Sequence, residues 1–217
     1  MKFAVIFDMD GVLVDSLKHI KAAFNQILSP YRVSISEKEF EEYLATSPKD
    51  AVSLWKEKYN VNISKEKFMK KTTEMEFNLL EKDAKLNSSL VKFLDELKEK
   101  NVPIGIGTSS HRKRTEKFLK LMKLQNYFQI IVNAEDVKKH KPAPDLFLEV
   151  AKKLDIKPKH CVVIEDSKDG IRAAKKANMK IIGLTTSYQT RKDLKKADLI
   201  INDFSELSYE KVKKLFD

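Results

Sequence analysis

The hydrophobic and polar positions of the chain form two kinds of pattern. Short apolar runs that stop at polar residues predict buried strands, and longer segments with apolar residues at helical spacing predict helices. The first apolar run, residues 3–7, is followed directly by Asp8, Asp10 and Gly11. A run of this kind is typical of a strand that is buried on both faces inside a parallel sheet. The acidic residues behind it fit either a functional site or an ordinary polar turn.

Residues 16–83 carry helical patterns throughout, and we expect them to form an inserted domain of four helices. Ser36 and Glu39 predict a capping box at the start of the second helix. Ser47-Pro48 indicates the start of the third helix, and Ser64 is the predicted cap of the fourth. Both ends of this domain are expected to join the rest of the chain.

From residue 87 onwards, helix and strand patterns alternate. The predicted strands lie at 102–107, 130–132, 161–164, 180–184 and 199–201, and the predicted helices at 88–100, 113–123, 144–154, 167–177 and 208–216. Helices of about 10 to 15 residues between strands favour a parallel doubly wound sheet. We therefore predict an α/β fold, with a Rossmann-like core formed by residues 1–15 and 84–217 and a helical cap at 16–83.

The composition narrows the class of protein. The chain has 217 residues, of which 42% are hydrophobic and 34% are charged, as expected for one globular domain with a small inserted one. No apolar run approaches the roughly 20 residues needed to span a bilayer, so we expect no membrane partner. Cys161 is the only cysteine, which excludes an intrachain disulfide and favours a reducing compartment, the cytoplasm.

The net charge of +10 raises the question of a nucleic-acid partner. Specific readers of phosphates and bases favour clustered arginines. Here lysines dominate and are mixed with acidic residues, and the arginines are Arg32, Arg112, Arg114, Arg172 and Arg191. We therefore interpret the excess charge as a solvated surface and expect no nucleic-acid partner. The positive field would still help to attract small anionic substrates.

Several predicted strands end in residues that carry chemistry. Because parallel strands bring their carboxyl ends to one edge of the sheet, these residues are expected to lie together. Carboxylate oxygens suit a hard cation such as Mg²⁺. An aspartate can attack a phosphoryl group, and a lysine and a hydroxyl can stabilise it. The residues in question are Asp8, Asp10, Thr108, Ser109, Lys141, Glu165 and Asp166.

Four motifs resemble those of the haloacid dehalogenase superfamily. They are Asp8-Met9-Asp10-Gly11-Val12, Thr108-Ser109, Lys141-Pro142-Ala143-Pro144-Asp145, and Glu165-Asp166-Ser167 through Gly170. Their order and separations fit as well, and the resemblance covers essentially the whole chain. Within the superfamily, the chain is most similar to the beta-phosphoglucomutase-like branch of phosphatases, which insert a helical cap after the first motif.

The resemblance implies a role for each motif residue. Asp8 is expected to be the nucleophile, Asp10 the general acid and base, and Lys141 the catalytic cation that bridges the nucleophile and the phosphoryl group. Thr108, Ser109 and Lys141 are the implied phosphate ligands. The implied Mg²⁺ ligands are the carboxylates of Asp8, Glu165 and Asp166 and the backbone carbonyl of Asp10. Gly11 and Gly170 would allow close backbone approach.

Simpler interpretations of these residues remain open on the sequence alone. Lys141 can be interpreted as an ordinary surface lysine. Glu165 and Asp166 can be interpreted as acidic residues at a helix N-terminus, where negative charge is favourable. Thr108 and Ser109 fit an N-cap pair for the helix that follows them.

Residues in the predicted cap bear on the reaction class. In the mutase, a cap-loop arginine holds the distal phosphate, and this chain has Lys49 there, which we predict to select the substrate. Many relatives carry a histidine where this chain has Ile20, with His19 one residue earlier. Both departures weaken the mutase hypothesis. Asp10 favours phosphate esters, because dehalogenases and phosphonate-cleaving relatives lack that carboxylate.

The resulting prediction is a Mg²⁺-dependent phosphatase that acts on a small phosphorylated metabolite, such as a sugar phosphate or phosphoglycolate, through an aspartyl phosphate. The first alternative is a phosphomutase of the beta-phosphoglucomutase type. A more distant alternative is a non-catalytic nucleic-acid-binding protein on the same scaffold. The sequence does not fix the oligomeric state and is compatible with a monomer.

Overall fold

A six-stranded parallel sheet forms the larger part of the fold, as seen in a computed structural model that describes residues 2–45, 48–83 and 86–217. The strand order is β3-β2-β1-β4-β5-β6. The strands are β1 (Ala4–Phe7), β2 (Ile104–Gly107), β3 (Ile130–Val132), β4 (Cys161–Glu165), β5 (Lys180–Leu184) and β6 (Leu199–Ile201). The predicted α/β class with a parallel sheet is confirmed.

The chain divides into two compact units, Met1–Val14 with Lys85–Asp217 and Asp15–Ala84. The second unit contains α1 (Leu17–Leu28), α2 (Glu37–Ala45), α3 (Pro48–Tyr59) and α4 (Lys65–Asp83). The first unit contains α5 (Ser88–Glu99), α6 (Arg112–Leu121), α7 (Asp145–Lys153), α8 (Lys168–Lys176) and α9 (Tyr209–Lys213). Among the residues that the structure describes, no helix combines the length and the apolar character needed to cross a membrane.

Strand β1 occupies a central place in the sheet and is fully buried. Phe7 pairs with Ile106 of β2 on one side and with Ile164 of β4 on the other. The residues that follow Phe7 therefore emerge between the ends of two neighbouring strands. The chemistry-bearing residues after β1, β2 and β4 meet at this edge because the register of the parallel strands brings their ends level.

Several element boundaries differ from the prediction by a few residues, and those of β4 and the last helix are two examples. Glu165 is the last residue of β4, where it pairs with Gly183 of β5, although the sequence placed it just after the strand. The last predicted helix is shorter, because α9 ends at Lys213 and the chain continues as a 3₁₀ turn over Lys214–Phe216. In both cases the hydrophobic pattern is unchanged, and backbone hydrogen bonding decides the boundary.

Helix α7 connects the core to the loop that carries Lys141. Its Leu146, Phe147 and Val150 are buried in a cluster with the apolar side chains of β1 and β4. The Lys141 ammonium lies 4.9 Å from the centroid of the Phe147 ring, within the range of a cation–π contact. Packing of α7 on the sheet therefore restricts the position of the Lys141 ammonium group.

The helical unit confirms the predicted capping box at α2. The Ser36 hydroxyl accepts a hydrogen bond from the Glu39 N–H at 3.3 Å, and the Ser36 N–H donates to Glu39 Oε2 at 3.0 Å. The other oxygen, Glu39 Oε1, accepts from Lys58 at 2.7 Å and from the Tyr59 hydroxyl. Glu39 thus joins the start of α2 to the end of α3.

We expect Glu39→Gln to destabilise the helical unit at pH 7 by about 2 kcal/mol. Burial disfavours the charged form of Glu39, but hydrogen bonds from Lys58, Tyr59 and Ser36 outweigh it and lower the pKa of that carboxyl to about 2. A depressed pKa stabilises the fold above the unfolded-state value, and this contribution disappears as the pH falls through the folded-state value. The difference between wild type and variant should therefore shrink from about pH 4.5 down to about pH 2.

The fluorescence of Trp55, the only tryptophan in the sequence, can follow this unfolding because Trp55 is buried within the same unit. Glu41→Gln on the exposed side of α2 is the matched control and should change stability by less than about 0.5 kcal/mol. An equal loss for the two variants, or a difference that persists at pH 2, would contradict the prediction.

Candidate active site

The segment after β1 places two aspartates at the carboxyl edge of the sheet. Asp8 is buried, and its backbone N–H donates to the carbonyl of Ile164 at 3.0 Å. Gly11 closes the turn with a φ of +82°, a conformation that side chains disfavour. A Cβ at Gly11 would also lie 2.0 Å from Asp166 Oδ2. The turn therefore requires glycine both for its backbone conformation and for the close approach of Asp166.

Lys141 lies between two buried carboxylates. Its Nζ donates to Asp8 Oδ1 at 2.6 Å and to Glu165 Oε1 at 2.7 Å. Burial by itself would lower the pKa of Lys141, but the negative charges of Asp8 and Glu165 raise it above the usual value for lysine. Lys141 is therefore a permanently charged ammonium in this site. The interpretation of Lys141 as a surface lysine is wrong.

Asp8, Glu165 and Asp166 form a compact group of carboxylates. One oxygen of each lies within 4.8 Å of the others, and all three residues are buried. Burial raises the pKa of Asp8 to about 7 and raises that of Asp166 well above its usual value. When all three are ionised, the ammonium of Lys141 leaves two negative charges without a counterion. This excess and the all-oxygen donor set fit one divalent hard cation such as Mg²⁺.

The start of α8 is shaped to hold Glu165. Glu165 Oε2 accepts from the Ser167 N–H at 2.5 Å, and the Ser167 hydroxyl caps α8 by accepting from the Gly170 N–H at 3.0 Å. A Cβ at Gly170 would lie 1.5 Å from Glu165 Oε1. The N-terminus of α8 therefore holds one member of the carboxylate cluster, Glu165. The missing side chain of Gly170 leaves the space that Glu165 occupies.

Thr108 and Ser109 follow β2 but do not cap the next helix. Thr108 is buried, and its hydroxyl accepts from the Ser110 N–H at 3.0 Å. Ser109 is exposed. The N-cap of α6 is His111, whose side chain makes no capping hydrogen bond. The N-cap interpretation of Thr108 and Ser109 is therefore wrong, whereas their role as phosphate ligands stays a prediction.

The structure adds two residues that the sequence did not single out. Arg114 donates from Nη1 and Nη2 to the two carboxylate oxygens of Asp10, both at 2.7 Å. The Ser110 hydroxyl donates to Asp10 Oδ2 at 2.8 Å. The sequence interpretation placed Arg114 among solvated surface charges, and this is wrong, because its side chain is only 15% exposed. The available signal was an arginine six residues after Thr108 in a chain whose cations are mostly lysine.

The structure thus brings most of the predicted site residues to one edge of the sheet. They are Asp8, Asp10, Thr108, Ser109, Lys141, Glu165 and Asp166, all of which belong to the larger unit. Lys49, the predicted substrate-selecting residue, lies in α3, but its side chain is outside the described residues. Its role stays a prediction.

Known proteins with similar sequences and structures agree with the motif resemblance. A family model described as haloacid dehalogenase-like hydrolase matches residues 5–184. A phosphorylated carbohydrates phosphatase from Thermotoga maritima is 29% identical over 198 residues, which cover 91% of this chain and 92% of that protein. Hexitol phosphatase B from Escherichia coli is 30% identical over 181 residues, which cover 82% of each.

The fold is also similar to that of solved structures. The crystal structure of beta-phosphoglucomutase from Clostridium difficile matches with a TM-score of 0.82 and 26% identity, over 100% of this chain and 97% of that one. The phosphatases and the mutase are therefore similar to this chain along nearly its whole length. Because the family model covers most of the chain and a relative at 30% identity covers more than two thirds of it, this chain belongs to the haloacid dehalogenase-like hydrolase family.

Proposed function

We propose that this protein is a Mg²⁺-dependent phosphatase that hydrolyses a small phosphorylated metabolite through an aspartyl phosphate. The observation that carries the proposal is the buried cluster in which Lys141 bonds Asp8 at 2.6 Å beside Glu165 and Asp166. A carboxylate held next to a permanent positive charge can approach the phosphorus of an anionic substrate. Relatives named as phosphatases support the same reaction class.

In the first step, an Asp8 oxygen attacks phosphorus, and the bond from phosphorus to the leaving alcohol oxygen breaks. Lys141 stabilises the negative charge that spreads over the phosphoryl oxygens. Thr108 and Ser109, at the end of β2, are the proposed hydroxyl ligands of the same group. Because these groups extend from the ends of fixed strands and from the α7 loop, little reorganisation is required during the reaction.

Asp10 moves the proton in both steps. It donates a proton to the departing alcohol oxygen as the phosphoryl group reaches Asp8. In the second step Asp10 accepts a proton from the water that attacks the aspartyl phosphate. Inorganic phosphate then leaves, and the Asp8 carboxylate is restored.

The proposed Mg²⁺ ligands are the carboxylates of Asp8, Glu165 and Asp166, together with the backbone carbonyl of Asp10. When bound, the cation neutralises charge on the phosphoryl oxygens. The carboxylates carry the two negative charges that Lys141 leaves unbalanced, and they lie close enough to share one ion.

We propose sugar phosphates or sugar-alcohol phosphates as the substrate class, with phosphoglycolate-like esters as the alternative among small phosphorylated metabolites. The support is that the similar proteins include a phosphorylated carbohydrates phosphatase and a hexitol phosphatase. The unit Asp15–Ala84 is the proposed cap that selects the leaving group, with Lys49 as its proposed cationic contact for an anionic group of the substrate. A cytoplasmic location is proposed as well, since Cys161 is the only cysteine in the sequence and no intrachain disulfide can form, which suits a reducing compartment.

Phosphate release from a panel of hexose phosphates, hexitol phosphates, phosphoglycolate and nucleotides tests this proposal. We expect turnover of at least one sugar phosphate with Mg²⁺, and a loss of more than about 100-fold when the metal is removed with EDTA, because the phosphoryl charge is then uncompensated. Adding Mg²⁺ should raise the thermal midpoint of wild type but not that of Asp166→Asn. Absence of turnover for every ester, or full activity in EDTA, would refute the proposal.

A phosphomutase is the second candidate, because beta-phosphoglucomutase has the same fold over the whole chain. The arrangement of α1 weighs against it. Ile20 is where many relatives carry histidine, and His19 Nδ1 lies 3.1 Å from the carbonyl oxygen of Asp15, so that ring nitrogen is engaged by the backbone just before α1. A coupled assay that detects isomerised sugar phosphate without release of inorganic phosphate would favour the mutase.

A further inference from the structure

The carboxylate of Asp10 receives three hydrogen bonds from one short stretch of chain. Arg114 engages both oxygens at 2.7 Å, and the Ser110 hydroxyl donates to Oδ2 at 2.8 Å. Arg114 Nη1 also donates to the Ser110 oxygen at 2.5 Å. Ser110 directly follows the Thr108-Ser109 motif, and Arg114 belongs to the first turn of α6. The three side chains form a closed triangle at the edge of the sheet.

We propose that Arg114, assisted by Ser110, is a positioning residue that sets the orientation of the Asp10 carboxylate for proton transfer. This inference rests on the proposed function, in which Asp10 moves the proton. A guanidinium that binds both oxygens fixes the plane of a carboxylate, which a lysine ammonium cannot do. Arg114 acts through Asp10 and is not assigned a contact with substrate.

The surroundings of Asp10 explain why such a clamp is useful. Its side chain is 27% exposed, whereas that of Asp8 is 9% exposed and that of Glu165 is fully buried. Packing therefore holds Asp8 and Glu165, but it leaves Asp10 more room to rotate. The hydrogen bonds from Arg114 and Ser110 supply the restraint that packing does not. General acid catalysis is sensitive to this restraint, because a displacement of about 1 Å can cost about 100-fold in rate.

A neighbouring arginine provides a contrast and a control. Arg112 begins the same helix, but its side chain is 49% exposed and pairs with Asp136 at 2.5 Å. Exposed ion pairs of this kind contribute little to stability. Arg112→Ala therefore removes the same side chain from the same turn of α6 without touching Asp10. It should leave activity unchanged toward every substrate.

The leaving group distinguishes positioning of Asp10 from other roles. A sugar alkoxide needs a proton as it departs, whereas p-nitrophenolate leaves without one. We expect Arg114→Ala to lower kcat/KM by about 10- to 100-fold for the hexose or hexitol phosphate turned over fastest in the panel. For p-nitrophenyl phosphate we expect a loss below about threefold, since proton donation contributes little there. Ser110→Ala should act in the same direction with a smaller effect.

Three further measurements complete the experiment. Arg114→Lys should recover part of the lost kcat/KM for the sugar phosphate, because one ammonium still reaches one Asp10 oxygen. In an Asp10→Asn background, Arg114→Ala should have no additional effect, since a positioning residue acts through its partner. Inhibition by inorganic phosphate should be equal in wild type and Arg114→Ala. Circular dichroism and thermal unfolding check that each variant folds. If Arg114→Ala does not fold, the activities of Ser110→Ala and Arg114→Lys test the proposal in its place.

The outcomes separate the competing explanations. An equal loss with both leaving groups, together with weaker inhibition by phosphate, would overturn the proposal and make Arg114 a phosphate ligand. Equal activity of Arg114→Ala and wild type would also overturn it. Failure of the proposed function has a different signature, namely a wild-type protein that hydrolyses no ester or an Asp10→Asn variant with full activity.

Discussion

We expect the Asp8→Asn variant to fold normally and to lose activity by a factor on the order of 10,000 or more. Asparagine has the shape of aspartate but cannot attack phosphorus as a carboxylate does. The substitution removes a charge that burial already disfavours, since the pKa of Asp8 is raised to about 7. Lys141 keeps its second partner, Glu165, at 2.7 Å. The fold therefore loses little while the reaction loses its nucleophile.

Steady-state phosphate release measures the expected loss of activity, and thermal unfolding measures the expected retention of the fold. Asp169→Asn is the matched control, because Asp169 lies near the site in sequence but is 53% exposed and pairs across one helical turn with Arg172. The control should keep wild-type turnover. If Asp8→Asn kept near-full activity, or if both variants lost it equally, the assignment of Asp8 as nucleophile would be wrong.

The second large effect is expected on stability, from Gly170→Ala. Helix propensity predicts that alanine at this position of α8 should stabilise the protein by about 0.5–1 kcal/mol. The structure predicts the opposite, because the new Cβ would lie 1.5 Å from Glu165 Oε1. Glu165 would then have to leave its bonds with Lys141 and the Ser167 N–H. We expect a net destabilisation of about 2–4 kcal/mol.

Urea unfolding of wild type, Gly170→Ala, Glu165→Ala and the double variant measures the free-energy coupling between residues 165 and 170. In a Glu165→Ala background the obstructing side chain is gone, and Gly170→Ala should then be neutral or stabilising, as helix propensity predicts. The coupling between the two positions is therefore expected to exceed about 2 kcal/mol. Destabilisation of the same size in both backgrounds would show that Gly170 is required for a reason other than Glu165.

The features that the sequence predicted well depend on local pattern. The capping box of Ser36 and Glu39 involves residues three apart, so its hydrogen bonds follow from helix geometry. The meeting of Asp8 with Glu165 was predictable for a topological reason, because parallel strands align their carboxyl ends.

The features that the sequence missed depend on three-dimensional packing. Arg114 and Asp10 are far apart in the chain, and their contact depends on the rotation of α6 against the sheet, which helical periodicity does not specify. Arg112 and Arg114 are the same residue type in the same helical turn. In the structure, however, Arg112 is surface-exposed, whereas Arg114 binds Asp10. The inclusion of Glu165 in β4 follows from its pairing with Gly183, a partner that no local pattern identifies.

The central position of β1 has a consequence for how the protein is synthesised and folds. Its two neighbours, β2 and β4, both follow the entire helical unit in the chain, and β4 ends at Glu165. Strand β1 therefore has no partner strand until β2 is made and lacks its second partner until β4 is made, although α1 to α4 can already pack together. Such long-range pairing slows folding and leaves apolar strands exposed to aggregation. The strand that leads to Asp8 is therefore made before both of its neighbours, and it gains the second of them only after β4 is made.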